Sequence, residues 1–376
     1  FSRRFDGVEV EDFDATGAAE RAYDAVDEDV REAIETAAAN VRAFHERQVP
    51  EDWTVEPATG RELGRTYYPL DSAGVYVPGG TAAYPTSVLM GVIPARVAGV
   101  DRVAVATPAR DDPNPVTLAA MHVADVDAVY RVGGAQAIAA LAYGTESIEA
   151  VDVIVGPGNR WVTAAKAEVR GDVRIDMLAG PSEVLALADD TADSAIVAAE
   201  VIAQAEHDPN AGVVAVTPDA DLAHAIATAI EEQVADRDRS DVVAEALDND
   251  ASGVFLADSM DDAVQFARRY APEHLHVWAR ESRALLDRIE HYGSAFLGEY
   301  TPVAVGDYAS GTNHVLPTGG SARIASGLSV DDFLRSATHQ AFTEEGLATL
   351  RDTVTTLADA EGLEAHAFSV DVRFED

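Results

Sequence analysis

The chain contains no cysteine. Disulfides, thiolate metal sites and thiol nucleophiles are therefore excluded, and an aldehyde bound here cannot be oxidised through a thiohemiacetal. Lysine is almost missing too: Lys166 is the only one. No apolar run reaches the roughly 20 residues of a membrane span, and no charged-then-apolar leader opens the sequence, so a cytoplasmic location is the default expectation. Bases are scarce, 27 against 66 acids, giving a formal charge of −39. A surface of that sign repels nucleic acid and anionic membranes. The acids are spread along the chain and do not form a tail, which points to a proteome adapted to high internal salt, where screening acts within about 3 Å at 1 M.

What is present fits a folded enzyme-sized protein. The 376 residues are enough for two or three domains, and 47% of them are hydrophobic. Residues 20 to 48 read as Ala-rich helices, and a polar connection follows Pro50. Short β-branched runs then alternate with helical stretches: "GVYVP" (74–78), a helix from Pro85 to Val97, "RVAVATP" (102–108), "VDAVYRV" (126–132) and "VDVIV" (151–155), with "VRIDM" and "VLALAD" closing this half. The rhythm restarts after Asp189 with "GVVAVTP", "GVFLAD", "HLHVWA" and "SAFLG". The expected fold is α/β, two Rossmann-like doubly wound halves without a G-x-G-x-x-G fingerprint, flanked by helical N- and C-terminal segments. The boundaries fall at 1–49, 50–75, 76–184, 185–327 and 328–376. From Ser329 the pattern is helical, and the final "AHAFSVDVRFED" reads as a closing strand.

Ligands of doubly wound sheets bind beyond the carboxyl ends of the strands, so the turns there matter most. Three are glycine-rich: "VPGGTAAYP", "RVGGAQAIA" and "VGPGNRW". Each can bring backbone N–H groups and a helix N-terminus to a phosphate, and each alone also fits an ordinary tight turn. In "IAQAEHDPN" Gln204 and His207 share a helix face at i and i+3, at a helix end that favours a cation. Their oxygen and nitrogen donors suit Zn²⁺ or a similar divalent ion, while a capping histidine beside a solvated glutamine is the plainer alternative. "YAPEHLHVW" sets Glu273 beside His274 at a strand start, a candidate general-base pair. The polar loop "GDYASGTNHVLPTGG" (306–320) carries Asp307 and His314. His366 stands near the chain end, with Glu361 five residues earlier. His45, His122, His224 and His291 have no such setting and read as surface or core histidines.

Taken together, "GPGNRWVTAAK", "IDMLAGPSEVL", "AQAEHDP", "YAPEHL", "GDYASGTNHVLPT" and "AHAFSV" resemble the histidinol dehydrogenase family, in order and along nearly the whole chain. The family usually has a further helical segment before anything like "FSRRFDGVEV", which bears on the dimer interface. The resemblance implies oxidation of L-histidinol to L-histidine through the aldehyde with two NAD⁺, the last step of histidine biosynthesis. It implies one Zn²⁺ per subunit held by Gln204, His207, Asp307 and His366. Glu273 and His274 match the catalytic pair, His274 taking the alcohol proton and Glu273 activating water on the aldehyde. Ser182, His314 and Glu361 match substrate-contacting positions, alongside the metal ligands and His274. Tyr76, Gln136 and Asn159 match NAD-contacting positions. It further implies that 76–184 is the NAD-binding domain and 185–327 the zinc and catalytic domain, with 50–75 packing against it. The tail 328–376 would reach the partner of a homodimer, so that Glu361 and His366 serve the partner's site. A related dehydrogenase of another metal-chelating alcohol would keep the same ligands. A zinc-independent dehydrogenase would not need the "QAEH" pair together with His366, and a binding module would not need an adjacent Glu-His pair.

Overall fold

The computed structural model describes residues 2–10, 12–79, 83–110 and 114–375. It divides into two compact units: residues up to Gln48 with Leu70–Phe333, and Val49–Pro69 with the residues from Leu334 on.

The first unit opens with α1 (Thr16–Ala25) and α2 (Glu28–Glu46). On α2 the buried residues Ile34, Ala37, Ala38, Val41 and His45 follow helical spacing and form one face. β1 (Trp53–Ala58) and β2 (Arg61–Pro69) come next and belong to the second unit. The first parallel sheet is then built from β3 (Ser72–Tyr76), α3 (Pro85–Ala98), β4 (Arg102–Thr107), α4 (Pro115–Val123), β5 (Ala128–Arg131), α5 (Gly134–Tyr143), β6 (Val153–Val155), α6 (Arg160–Val169) and β7 (Arg174–Ile175). Its strand order is β5-β4-β3-β6-β7.

The second sheet repeats the plan with β8 (Glu183–Ala188), α7 (Ser194–Ala205), β9 (Gly212–Thr217), α8 (Ala220–Val234), α9 (Ser240–Leu247), β10 (Gly253–Leu256), α10 (Met260–Tyr270), β11 (His274–Trp278), α11 (Ser282–Ile289), β12 (Ser294–Leu297) and α12 (Val303–Tyr308). The order is β10-β9-β8-β11-β12, all parallel. Each sheet starts in its middle, winds outward, and returns to wind the other way. The switch points lie between β3 and β6 and between β8 and β11. Both faces of each sheet are covered, which is why the strands are almost wholly apolar. In β8, Val184 and Ala186 pack with Val197, Val201 and Ile226, while Leu185 and Leu187 pack with Val264, Leu275 and Ile289 on the opposite face.

In the second unit β1 and β2 pair antiparallel, and β13 (Leu334–Phe342) joins β2 along its whole length. α13 (Glu344–Ala348), α14 (Arg351–Ala360) and α15 (Glu364–Asp371) complete it. Two expectations are corrected here. The segment after Ser329 is not helical throughout: β13 is a strand whose residues after Leu334 are all exposed, so backbone pairing forms it and no alternation marks it. Nor is the end of the chain a strand. Val370, Val372 and Phe374 alternate with charged residues, yet the segment coils into α15 against α14, tied by an Arg351–Asp371 ion pair at 2.7 Å. Tertiary packing overrides the local pattern. Among the described residues no helix is long and apolar enough to cross a membrane.

Candidate active site

Two parallel strands joined by a helix require that helix to run back antiparallel. α7 therefore leaves the carboxyl end of β8 and ends at the amino edge of the second sheet, delivering Gln204 and His207 there. Gln204 is buried at 3% exposure, and the His207 N–H returns to the Gln204 carbonyl at 3.3 Å as the helix closes. His274 is the first residue of β11, between Val184 of β8 and Ser294 of β12. The titratable groups of this half thus gather at the amino edge of its sheet and not in the crevice at the carboxyl ends.

Glu183, at the start of β8, holds the pair. Its N–H donates to Glu273 Oε2 at 2.9 Å, and its carbonyl oxygen lies 3.2 Å from His274 Nδ1. Nδ1 of His274 is also 3.7 Å from Glu273 Oε2, and Nε2 is 3.8 Å from Asp307 Oδ1. With the Nδ1 hydrogen given to the Glu183 carbonyl, Nε2 carries the lone pair, and it has no hydrogen-bond partner among the described residues. The Asp307 carbonyl lies 3.0 Å from His314 Nδ1, so the loop after α12 folds back on the same point. Ser182 sits just before β8, its carbonyl accepting from Gly212 N–H at 3.0 Å.

The charges in this cluster are out of their ordinary ranges. Burial pushes the Glu273 carboxyl well above the usual carboxylate value; the Glu183 N–H opposes this, and the carboxylates of Glu183 and Asp307 add to it. Burial, with Glu200 nearby, pushes Asp307 up to about 7. Burial, opposed by the Glu183 carbonyl and helped by His276, His207 and His314, depresses His274 to about 3. Packing around His314 depresses it to about 4, although part of its surface remains accessible. The site thus holds neutral imidazoles beside carboxyls with high proton affinity.

Several supporting residues have no signature in the sequence. Glu200 lies one turn before Gln204 on α7. Its Oε2 is 3.1 Å from Nε2 of the fully buried His276 and accepts the Val303 N–H at the start of α12, also at 3.1 Å. One carboxylate therefore joins the helix of Gln204, the strand of His274 and the helix of Asp307. Glu183 adds a side-chain bond from Gly319 N–H at 2.7 Å, which fixes the far end of the polar loop. His45, a core histidine, meets Asn313 at 3.4 Å, and Asn313 donates to the Met90 carbonyl at 2.8 Å, anchoring the residue before His314.

A second set of residues lies at the carboxyl edge of the first sheet, in the same unit. Tyr76 ends β3 and is buried; its hydroxyl oxygen accepts from Gly134 N–H at 3.0 Å, at the first turn of α5. Gln136 follows on that turn, and the N-cap residue, Gly133, has no side chain with which to cap the helix. Asn159 caps α6, its Oδ1 accepting from Trp161 and Val162 N–H at 3.0 and 3.2 Å. A side chain at Gly133 would meet Pro108 at 2.5 Å, so close approach of neighbouring turns demands that glycine. Gly80, Thr81 and Ala82 of the first glycine turn lie outside the described residues. The glycine-capped α5 terminus beside two tight turns fits a dinucleotide phosphate.

Whether a metal fits can be judged from the donors. Among the described residues no three His, Asp or Glu side chains lie together as a metal cluster. In the first unit the candidates are Gln204, His207 and Asp307, an oxygen and nitrogen set compatible with Zn²⁺ but short of a closed tetrahedron. The half-buried Asp307 carboxyl, pushed up by burial with Glu200 nearby, suits a cation. Glu361 and His366 belong to the second unit, at the end of α14 and on α15, and both are exposed.

Comparison with known proteins gives a consistent picture. The family profile described as histidinol dehydrogenase matches residues 1–374. The chain is 66% identical over 375 residues to histidinol dehydrogenase of Haloarcula marismortui, covering 100% of this chain and 89% of that one. It is 65% identical over 372 residues to that of Halobacterium salinarum, covering 99% and 88%. The crystal structure of histidinol dehydrogenase from Elizabethkingia anophelis superposes with a TM-score of 0.95 at 37% identity, covering 99% of this chain and 87% of that one. A succinate-semialdehyde dehydrogenase from Burkholderia pseudomallei shares the fold alone, with a TM-score of 0.53 at 14% identity.

Proposed function

The chain belongs to the histidinol dehydrogenase family of oxidoreductases, and we propose that it carries out the zinc-dependent four-electron oxidation of L-histidinol to L-histidine with two NAD⁺. The observation that carries this reading is the bracket of Glu183 on Glu273 and His274, which leaves His274 Nε2 as a free base facing Asp307.

Gln204, His207 and Asp307 would hold Zn²⁺ together with the partner's His366. When bound, the ion would chelate the imidazole and amine of the substrate and so orient the carbinol carbon. NAD⁺ would lie at the carboxyl edge of the first sheet with Tyr76, Gln136 and Asn159, and would accept each hydride. In the first oxidation His274 Nε2 takes the hydroxyl proton. The positive charge that develops on the imidazole is stabilised by the Glu273 and Asp307 carboxylates, 3.7 and 3.8 Å from its two nitrogens. In the second oxidation Glu273, whose proton affinity burial raises, draws a proton from the water that hydrates the aldehyde. No thiol is present to form an acyl enzyme, so the diol is the species oxidised, and His274 Nε2 takes its hydroxyl proton as the hydride leaves for the second NAD⁺. Ser182, His314 and the partner's Glu361 would contact the substrate around this pair.

This reading makes the protein a homodimer with shared sites, since the first unit is short of donors while Glu361 and His366 stand exposed on the second. It also places the protein in a salt-rich cytoplasm, in line with its charge of −39. The test is product identification: purified protein in molar KCl, given L-histidinol, NAD⁺ and Zn²⁺, yields L-histidine by mass spectrometry. Absence of histidine while another chelating alcohol is oxidised would assign a different substrate.

A further inference from the structure

Lys166 is the one lysine among 27 basic residues, and its side chain is 3% exposed on α6. A chain that otherwise uses arginine keeps its single ammonium in the interior. Nζ donates to the Gly156 carbonyl at 3.0 Å and pairs with Asp176 Oδ1, whose side chain is 1% exposed. The other oxygen of Asp176 accepts the Gly156 N–H at 2.8 Å, and Oδ1 also accepts Met177 N–H at 2.6 Å. One ion pair therefore grips Gly156 by both its N–H and its carbonyl. Gly156 is the first residue after β6, with φ +108°, and a Cβ there would lie 2.2 Å from the Tyr76 carbonyl oxygen. The gripped residue thus sits where β6 meets the end of β3, at the switch point of the first sheet, between Tyr76 and Asn159. A compact ammonium reaches two acceptors in so closed a space; a planar guanidinium with five donors does not.

We propose that Lys166 and Asp176 are positioning residues for dinucleotide binding, which hold the β6–α6 turn in its binding geometry before NAD⁺ arrives. This rests on the reading that NAD⁺ lies at the carboxyl edge of the first sheet. The pair touches neither the metal donors nor the Glu273–His274 pair, so its effect falls on the affinity for NAD⁺ and not on the chemical steps. A preformed turn spares the ordering cost of binding.

The experiment compares wild type with the double variant Lys166→Met/Asp176→Asn, which removes both charges and leaves neither buried alone. NAD⁺ is titrated by tryptophan fluorescence in molar KCl, and zinc affinity is measured by competition with a chelator. The expected result is NAD⁺ binding weakened about tenfold or more, with KM for NAD⁺ rising in step while kcat and zinc affinity stay within about threefold. A merely structural role would lower the melting temperature and leave the NAD⁺ affinity of the folded protein as it was. That outcome overturns the proposal while leaving the proposed function intact. Wild type without NAD⁺ affinity overturns both.

Should the double variant not fold, the single lysine offers a test in wild type. An amine-reactive reagent, followed by peptide mass mapping to separate the chain terminus, reads the opening of this turn alone. Saturating NAD⁺ slows modification of Lys166 by about tenfold or more when it binds the closed turn. An unchanged rate overturns the proposal.

Discussion

The carbonyl oxygen of Glu183 lies 3.2 Å from His274 Nδ1, and this contact determines which imidazole nitrogen can act. It takes the Nδ1 hydrogen and turns the lone pair of Nε2 toward Asp307. The same residue donates its N–H to Glu273, so both groups of the pair are fixed by the backbone of one residue at the edge of the sheet. The base is set by backbone atoms of a strand rather than by a mobile side chain, so its orientation is as rigid as the sheet itself.

Replacing His274 with Asn removes the base. On our reading both oxidations fail, with kcat falling by about 10²–10⁴-fold, while NAD⁺ and zinc binding persist. Stopped-flow NADH absorbance and equilibrium binding measure the two effects. A variant that still produces NADH at the wild-type rate would remove His274 from the mechanism.

Glu273→Gln separates the halves. The carboxyl is needed to activate water, so the alcohol is still oxidised and the aldehyde accumulates. The expected yield is about one NADH per histidinol in place of two, read by absorbance with the aldehyde trapped by a hydrazine. Full conversion to histidine would assign the water to another base.

How much of this was legible in the sequence depends on what kind of atom does the work. The i, i+3 spacing before a proline made Gln204 and His207 candidates beside the plainer reading of a capping histidine, and adjacency at a strand start did the same for Glu273 and His274. The two parallel sheets followed from β-branched runs alternating with helices. The role of Glu183 resides largely in its backbone, which every residue has, so its place beside Ser182 carried no signal. Glu200 and His276 are 76 positions apart and meet only because α7 packs on the sheet. β13 escaped notice because its residues after Leu334 are exposed and so leave no alternation.

His45 gives a pH test away from the metal donors. Burial holds its imidazole below the ordinary value near 6.5, the Val41 and Leu328 carbonyls opposing this in part. As pH falls through 6.5, the unfolded chain gains a proton that the folded chain refuses. Its contribution is therefore whole above that value and declines below it, at a limiting slope of about 1.4 kcal/mol per pH unit. Urea midpoints in molar KCl should fall more steeply toward pH 5 for wild type than for His45→Asn (about one pH unit on either side of 6 suffices). Parallel curves would mean that the folded protein binds this proton as readily as the unfolded chain does.

Shared sites predict complementation. Mixing His274→Asn with His366→Asn protein, each inactive alone, and allowing subunits to exchange creates hybrid dimers with one intact site. Random exchange restores about a quarter of wild-type activity, since half the dimers are hybrids and each has one working site of two. No recovery after verified exchange would place His366 in its own subunit's site.

The most direct test of the account is the number of NADH molecules formed per L-histidinol consumed, in molar KCl, with and without a chelator. Two are expected, abolished by chelation and restored by Zn²⁺. One NADH per substrate, or turnover indifferent to the chelator, would contradict it.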